Sequence, residues 1–199
     1  MNKRLQKISV VFAVFITVNI HAQNWDINLL KSINSQNNNS SVWVTTSKSV
    51  YPVAIAAPVG TFAVGYFSKD KLLQKKAIDM AGALVINTII TQSLKSVINR
   101  ERPYVKYPGE VFPYQYESDP SFPSGHASSA FATATSISLN CKKWYVVVPA
   151  YAWATAVGYS RLYMGEHYPS DVIIGAAIGA GSAWLSHWLT KKYFTKHKL

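Results

Sequence analysis

The stretch that decides the fold runs from residue 50 to residue 98. It begins with VYPVAIAAPVGTFAVGYF (Val50–Phe67). A short turn carrying Lys69, Lys71, Lys75 and Lys76 follows, and then AIDMAGALVINTIITQSLKSVI (Ala77–Ile98). Each apolar run approaches the ~20 residues that an α-helix needs to cross the hydrocarbon core of a bilayer. Their Ala, Gly, Ser and Thr content suits close helix packing inside a membrane. Three further apolar segments lie downstream: Ala127–Leu139, Trp144–Tyr159 and Val172–Leu189. No segment alternates like a strand between hairpin turns. The expectation is all-α: a multi-span membrane helix bundle of about five core helices. A soluble helical bundle is the alternative, because several segments are shorter than the ~18 apolar residues of a spanning helix.

Composition agrees. Of 199 residues, 49% are hydrophobic and only 15% charged, which excludes a disordered chain, and a single cysteine, Cys141, excludes a disulfide scaffold or a cysteine zinc cluster. The net charge of +11 asks for an anionic partner. The amino terminus has Lys3, Arg4 and Lys7, then the apolar stretch Ile8–Ile20 and His21-Ala22-Gln23. That reads as a signal peptide over residues 1–22, cut after Ala22, or else as an uncleaved anchor. Residues 23–199 then form a single domain. An exported or inserted chain has no use for nucleic acid.

Lysine position gives orientation. Lys69–Lys76, Lys142–Lys143 and Lys191–Lys198 fall on one side of a five-span layout, which the positive-inside rule makes cytoplasmic. The loops Ser96–Pro123 and Ser160–Asp171 then face outward. Only four arginines exist, and three of them, Arg100, Arg102 and Arg161, sit in or beside these outer loops. The guanidinium fork grips phosphate at two points, as lysine does not.

Three motifs occupy the same loops: Lys95-SVINRE-Arg102-Pro103, Pro123-Ser124-Gly125-His126, and Ser160-Arg161-LYMGE-His167-YPS-Asp171. Read as residues alone, Pro123–His126 is also a plain helix start with Ser124 as N-cap, and either histidine is also an ordinary surface residue. Together the motifs resemble the signature of the type 2 phosphatidic acid phosphatase superfamily, matching its eleven defining residues in type and spacing. The stretch 121–131 is more similar to the membrane-embedded branch than to the soluble acid phosphatases.

The resemblance implies a phosphatase that works without cofactor or metal. In that reading His167 attacks phosphorus to give a phosphohistidine, and His126 protonates the leaving alcohol. Asp171 orients His167, while Lys95, Arg102, Ser124, Gly125 and Arg161 hold the phosphate. The implied substrate is a phosphomonoester or terminal diphosphate, foremost of a lipid, met at the outer face of the inner (cytoplasmic) membrane. A soluble periplasmic acid phosphatase and a vanadium haloperoxidase-like enzyme are the rival readings. Tyr104, Tyr107, Phe112, Tyr114, Tyr116 and Phe122 suit either an interfacial belt or the flank of a lipid entrance. Glu110, Glu117 and Asp119 read as solvated loop charges. Oligomeric state is not legible.

Overall fold

The computed structural model describes residues 25–196, and among them every regular element is an α-helix. The signal segment expected over residues 1–22 lies outside the described residues. Two short helices come first, α1 (residues 25–33) and α2 (Ser41–Lys48). The long helices are α3 (Val50–Phe67), α4 (Lys71–Ile98), α6 (Gly125–Cys141), α7 (Trp144–Tyr163) and α8 (Pro169–Lys196), with the single turn α5 (Pro103–Lys106) after α4. These five are the expected core helices, with ends that local chemistry extends. Asp70 Oδ1 accepts the free N–H groups of Leu72 at 2.8 Å and Leu73 at 3.1 Å, so α4 starts six residues before its apolar run. Pro169 opens α8, where a missing N–H costs nothing. Because α7 runs on to Tyr163, Ser160 and Arg161 are helical, and the second outer loop shrinks to residues 164–168.

Helix α6 stands in the middle, packed against α3, α4, α7 and α8. Its buried face is small and weakly polar: Ala127, Ser128, Ala130, Ala132, Thr133, Ala134, Thr135 and Ser136. Small side chains let neighbouring backbones close in. A Cβ built on Gly179 of α8 would lie 2.1 Å from the Ser128 carbonyl oxygen, so only glycine allows this α6–α8 crossing.

Large apolar side chains instead coat the outside: Ile55, Val59, Phe62 and Val64 on α3, Val85, Ile89 and Val97 on α4, and Ile173, Trp184, Leu185 and Trp188 on α8. An inside of Ala, Ser and Thr with an outside of Ile, Val and Trp is the arrangement for lipid, and it opposes the soluble-bundle alternative. Val50–Phe67, Lys71–Lys106 and Pro169–Tyr193 are each long and apolar enough to cross a membrane. Helix α6, with 17 residues and a face of small polar side chains, is shorter than these three.

The chain before α3 closes one end of the bundle. Ile27 and Leu30 of α1 join Tyr104, Val111, Leu162 and Tyr168 in a buried cluster. Tyr104 is therefore core, not interfacial belt, while Tyr116 is exposed. Asn34 ties two loops together: its Nδ2 donates to the Phe112 and Tyr163 carbonyls, both at 2.9 Å, and its Oδ1 accepts from Phe112 N at 2.8 Å. Gly165, at φ +68°, lets its loop press against the Phe112 carbonyl, where a Cβ would sit 2.4 Å away.

Candidate active site

The last turn of α4, the N-termini of α6 and α8 and the last turn of α7 meet at that closed end. Lys95 is the basic residue of the last turn of α4. Asn99 then caps α4 in the left-handed conformation, at φ 46°, which an Asn side chain tolerates well. That reversal brings Arg102 back over the bundle, where it is the N-cap of α5 with Pro103 behind it.

The three motif cations are joined by two carboxylates. Lys95 Nζ lies 2.9 Å from Asp119 Oδ2, and it also donates to the Pro120 carbonyl. Arg102 reaches Asp119 Oδ1 at 2.5 Å through NH2 and the Asp119 carbonyl at 2.9 Å through Nε. Its NH1 donates to the Glu166 carbonyl at 3.0 Å and lies 3.6 Å from Glu166 Oε2. Arg161 NH2 donates to that Oε2 at 2.7 Å, and its NH1 donates to Ser47 Oγ of α2 at 2.7 Å. Arg161 Nε is buried without an acceptor in the protein. Lys95, Arg102 and Arg161 are each at most 5% exposed. Three buried cations in one network call for anions.

Asp119 is thus not the solvated loop charge expected of it. Burial opposes its ionisation, but Lys95 and Arg102 win and hold its carboxyl down to about 2. Burial pushes the Glu166 carboxyl above the usual range, against the pull of Arg161 and Arg102.

His167 is 2% exposed. Burial, opposed by Asp171 and reinforced by Arg102 and Arg161, lowers its pKa from 6.5 to about 4, so the ring is neutral at neutral pH. The expected direct hydrogen bond to Asp171 is replaced by a looser arrangement. His167 Nδ1 lies 3.6 Å from Asp171 Oδ2 and 3.5 Å from Ser121 Oγ, and Ser121 donates to that same Oδ2 at 2.5 Å. Asp171 also accepts from Tyr168 N at 3.0 Å, and its Oδ1 accepts from Arg100 NH1 at 2.6 Å. Arg100 NH2 donates to Asp26 Oδ2 of α1 at 2.8 Å. With Nδ1 turned to the Ser121–Asp171 side, Nε2 is left as the outward nitrogen.

Ser124 is the N-cap of α6, accepting from Ala127 N at 3.4 Å, while its own N–H donates to the Asp171 carbonyl at 3.1 Å. The plain capping reading of Ser124 is thus what the fold shows, and the cap sets the α6 N-terminus beside Asp171. Gly125 has open space where a side chain would stand. His126 follows it, edge-on to the Tyr51 ring at 5.2 Å and within electrostatic reach of His167, Arg102 and Arg161. All eight expected site residues are thus brought to one end of the bundle. Asp26, Ser47, Arg100, Asp119, Ser121 and Glu166 join them without having been assigned a part. Three of them carried a local signal: Glu166 beside His167 inside the third motif, Arg100 inside the first motif two residues before Arg102, and Ser121 just ahead of the second.

The chain matches the PAP2 superfamily model over residues 76–194. Among curated relatives, the lipid A 4'-phosphatase of Bacteroides thetaiotaomicron is 38% identical over 78 residues, 39% of this chain and 32% of that protein. The undecaprenyl-diphosphatase of Sulfolobus acidocaldarius is 31% identical over 116 residues, 58% of this chain and 56% of that protein. The chain thus spans between a third and somewhat over half the length of these relatives. The crystal structure of a transmembrane PAP2-type phosphatidylglycerolphosphate phosphatase from Bacillus subtilis superposes with a TM-score of 0.70 at 23% identity, over 92% of this chain and 94% of that one. It shares the fold of the bundle described above.

Proposed function

The chain belongs to the PAP2 superfamily, and we propose that it is a metal-independent phosphatase acting on a phosphorylated lipid. One observation carries the reading: three buried cations from two separate motifs form one network, Lys95–Asp119–Arg102–Glu166–Arg161, beside a buried histidine that is neutral at neutral pH.

Phosphoryl transfer spreads negative charge over three equatorial oxygens, so fixed cations and N–H groups supply most of the catalysis. Lys95, Arg102 and Arg161 bind those oxygens, together with the Ser124 hydroxyl, the Gly125 N–H and the positive end of α6. His167 Nε2 attacks phosphorus. The P–O bond to the leaving group breaks, and His126, whose pKa burial and Arg161 hold down to about 2, passes to that oxygen a proton brought in by the substrate's monoanion. Asp171 stabilises the charge that develops on His167. Water then attacks the phosphohistidine with His126 as base, releasing phosphate and restoring both rings.

The lysine-rich end of the bundle faces the cytoplasm in this reading, and the site faces outward from the inner membrane. Phosphatidic acid, phosphatidylglycerol phosphate, polyprenyl diphosphates and lipid A are the substrates to screen by phosphate release. Activity that is abolished in His167→Ala and insensitive to EDTA is the expected result. Turnover that EDTA removes and zinc or magnesium restores would overturn the metal-free mechanism.

A further inference from the structure

We propose that the opposite end of the bundle carries a second site, a headgroup pocket for an anionic phospholipid of the other leaflet. A cavity of about 550 Å³ opens there between the start of α4, the end of α6 and the end of α8. Lys75, Lys76, Lys142 and Lys191 line it, and Leu72 and Leu139 add apolar wall. No arginine is among the lining residues, so its cations are point charges that attract a phosphate without a two-point grip.

The pocket stands at the right depth. From Lys76 to Lys95, α4 rises about 28 Å at ~1.5 Å per residue. The hydrocarbon core of a bilayer is ~30 Å thick. With the phosphate cradle at one headgroup layer, Lys76 and Lys142 reach the other. Basic pockets between membrane helices at that level bind anionic lipid heads.

The floor of the pocket selects further. Asp79 is 2% exposed. Its Oδ2 is engaged by His187 Nδ1 at 2.6 Å and Asn140 Nδ2 at 2.9 Å, whereas its buried Oδ1 has no donor in the protein. A buried carboxylate oxygen without a donor is costly. A lipid head carrying hydroxyl groups beside its phosphate answers both features, with the phosphate toward the lysines and a hydroxyl toward Asp79. Exposed Trp188 and Leu189 on α8 then flank its acyl chains.

The test uses the full chain, stripped of lipid in detergent, with vanadate present to occupy the cradle. Native mass spectrometry and thermal melting are read after adding phosphatidylglycerol, phosphatidylcholine or inorganic phosphate. A retained phosphatidylglycerol adduct and a raised melting temperature are expected, with neither from the other two. The adduct should fall at least tenfold in Lys76→Glu/Lys142→Glu and persist in Lys76→Arg/Lys142→Arg and in His167→Ala. Leu139→Trp, which narrows the cavity without touching a charge, should also lose it. Equal adducts with both lipids, or an adduct that survives the Glu pair, would overturn the site. A melting shift from inorganic phosphate alone would overturn its assignment to lipid. The result turns on Lys76 and Lys142, so it stands or falls apart from the reaction assigned to His167.

Discussion

Arg100 NH1 donates to Asp171 Oδ1 at 2.6 Å, so the carboxylate behind His167 is itself held by a cation outside the family signature. The same guanidinium stacks on the Tyr168 ring at 3.8 Å and binds Asp26 of α1. The first helix thereby reaches the Asp171 carboxylate through a single residue. Arg100→Ala removes a charge-assisted bond of about 1.5–3 kcal/mol and leaves Asp171 its Ser121 and Tyr168 donors. The expected result is a kcat lower by roughly ten- to a hundredfold, with KM little changed and partial recovery in Arg100→Lys. A kcat equal to the parent would show that Ser121 and Tyr168 alone position Asp171.

Acid should act on His167 twice. Its pKa is about 4 in the fold and 6.5 in the reference state, so the unfolded chain takes up the proton first. The stability it contributes is complete above pH 6.5 and is lost as pH falls toward 4, roughly 3 kcal/mol at full extent. In kcat/KM, the acid limb marks loss of the neutral nucleophile and is expected near pH 4. Asp171 raises the His167 pKa and Arg161 lowers it. Asp171→Asn should therefore move the limb to lower pH, and Arg161→Gln to higher pH. Shifts of the opposite sign would remove His167 as the titrating group.

Asp119 is the anion already seated on two of the three cations proposed to hold phosphate, with its side chain 47% exposed. A substrate phosphate must compete with it for Lys95 and Arg102. Asp119→Asn should tighten vanadate and phosphate inhibition severalfold and lower KM, at little cost in folding. Weaker vanadate inhibition in this variant would mean that Asp119 orients the two cations and does not compete with substrate.

The helices were legible because period and length speak locally. The apolar run after Lys76 and the glycines of α8 are visible as such, and the eleven signature residues point to the candidate site. The partners were not legible. Asp26, Ser47 and Asp119 come from segments that read as polar loop or amphipathic turn, and their contacts exist only once the chain folds back, by 74 residues from Asp26 to Arg100, by 114 from Ser47 to Arg161 and by 17 from Asp119 to Arg102. Ser121 was hidden differently: a serine before a helix-start motif looks like turn chemistry until Asp171 Oδ2 is found 2.5 Å from it. The short outer loop was misjudged because Ser160 and Arg161 are polar, although α7 has no reason to stop before Met164 takes its C-cap.

The α6–α8 contact sets the whole cradle, and its tolerance is measurable. Gly179 meets the Ser128 carbonyl, one helical turn beyond the Ser124 cap, whereas Gly181 on the same helix faces open space. Gly179→Ala forces the two helices apart and should cost about 1–3 kcal/mol. Gly181→Ala gains helix propensity of up to ~1 kcal/mol and should be neutral or stabilising. Thermal melts in detergent compare the two directly. Because α6 also carries Gly125 and His126, Gly179→Ala should lower kcat at temperatures where it is still folded, while Gly181→Ala keeps full turnover. Equal melting temperatures for the two variants would mean that the α6–α8 crossing is loose enough to absorb a methyl group, and that the cradle does not depend on it.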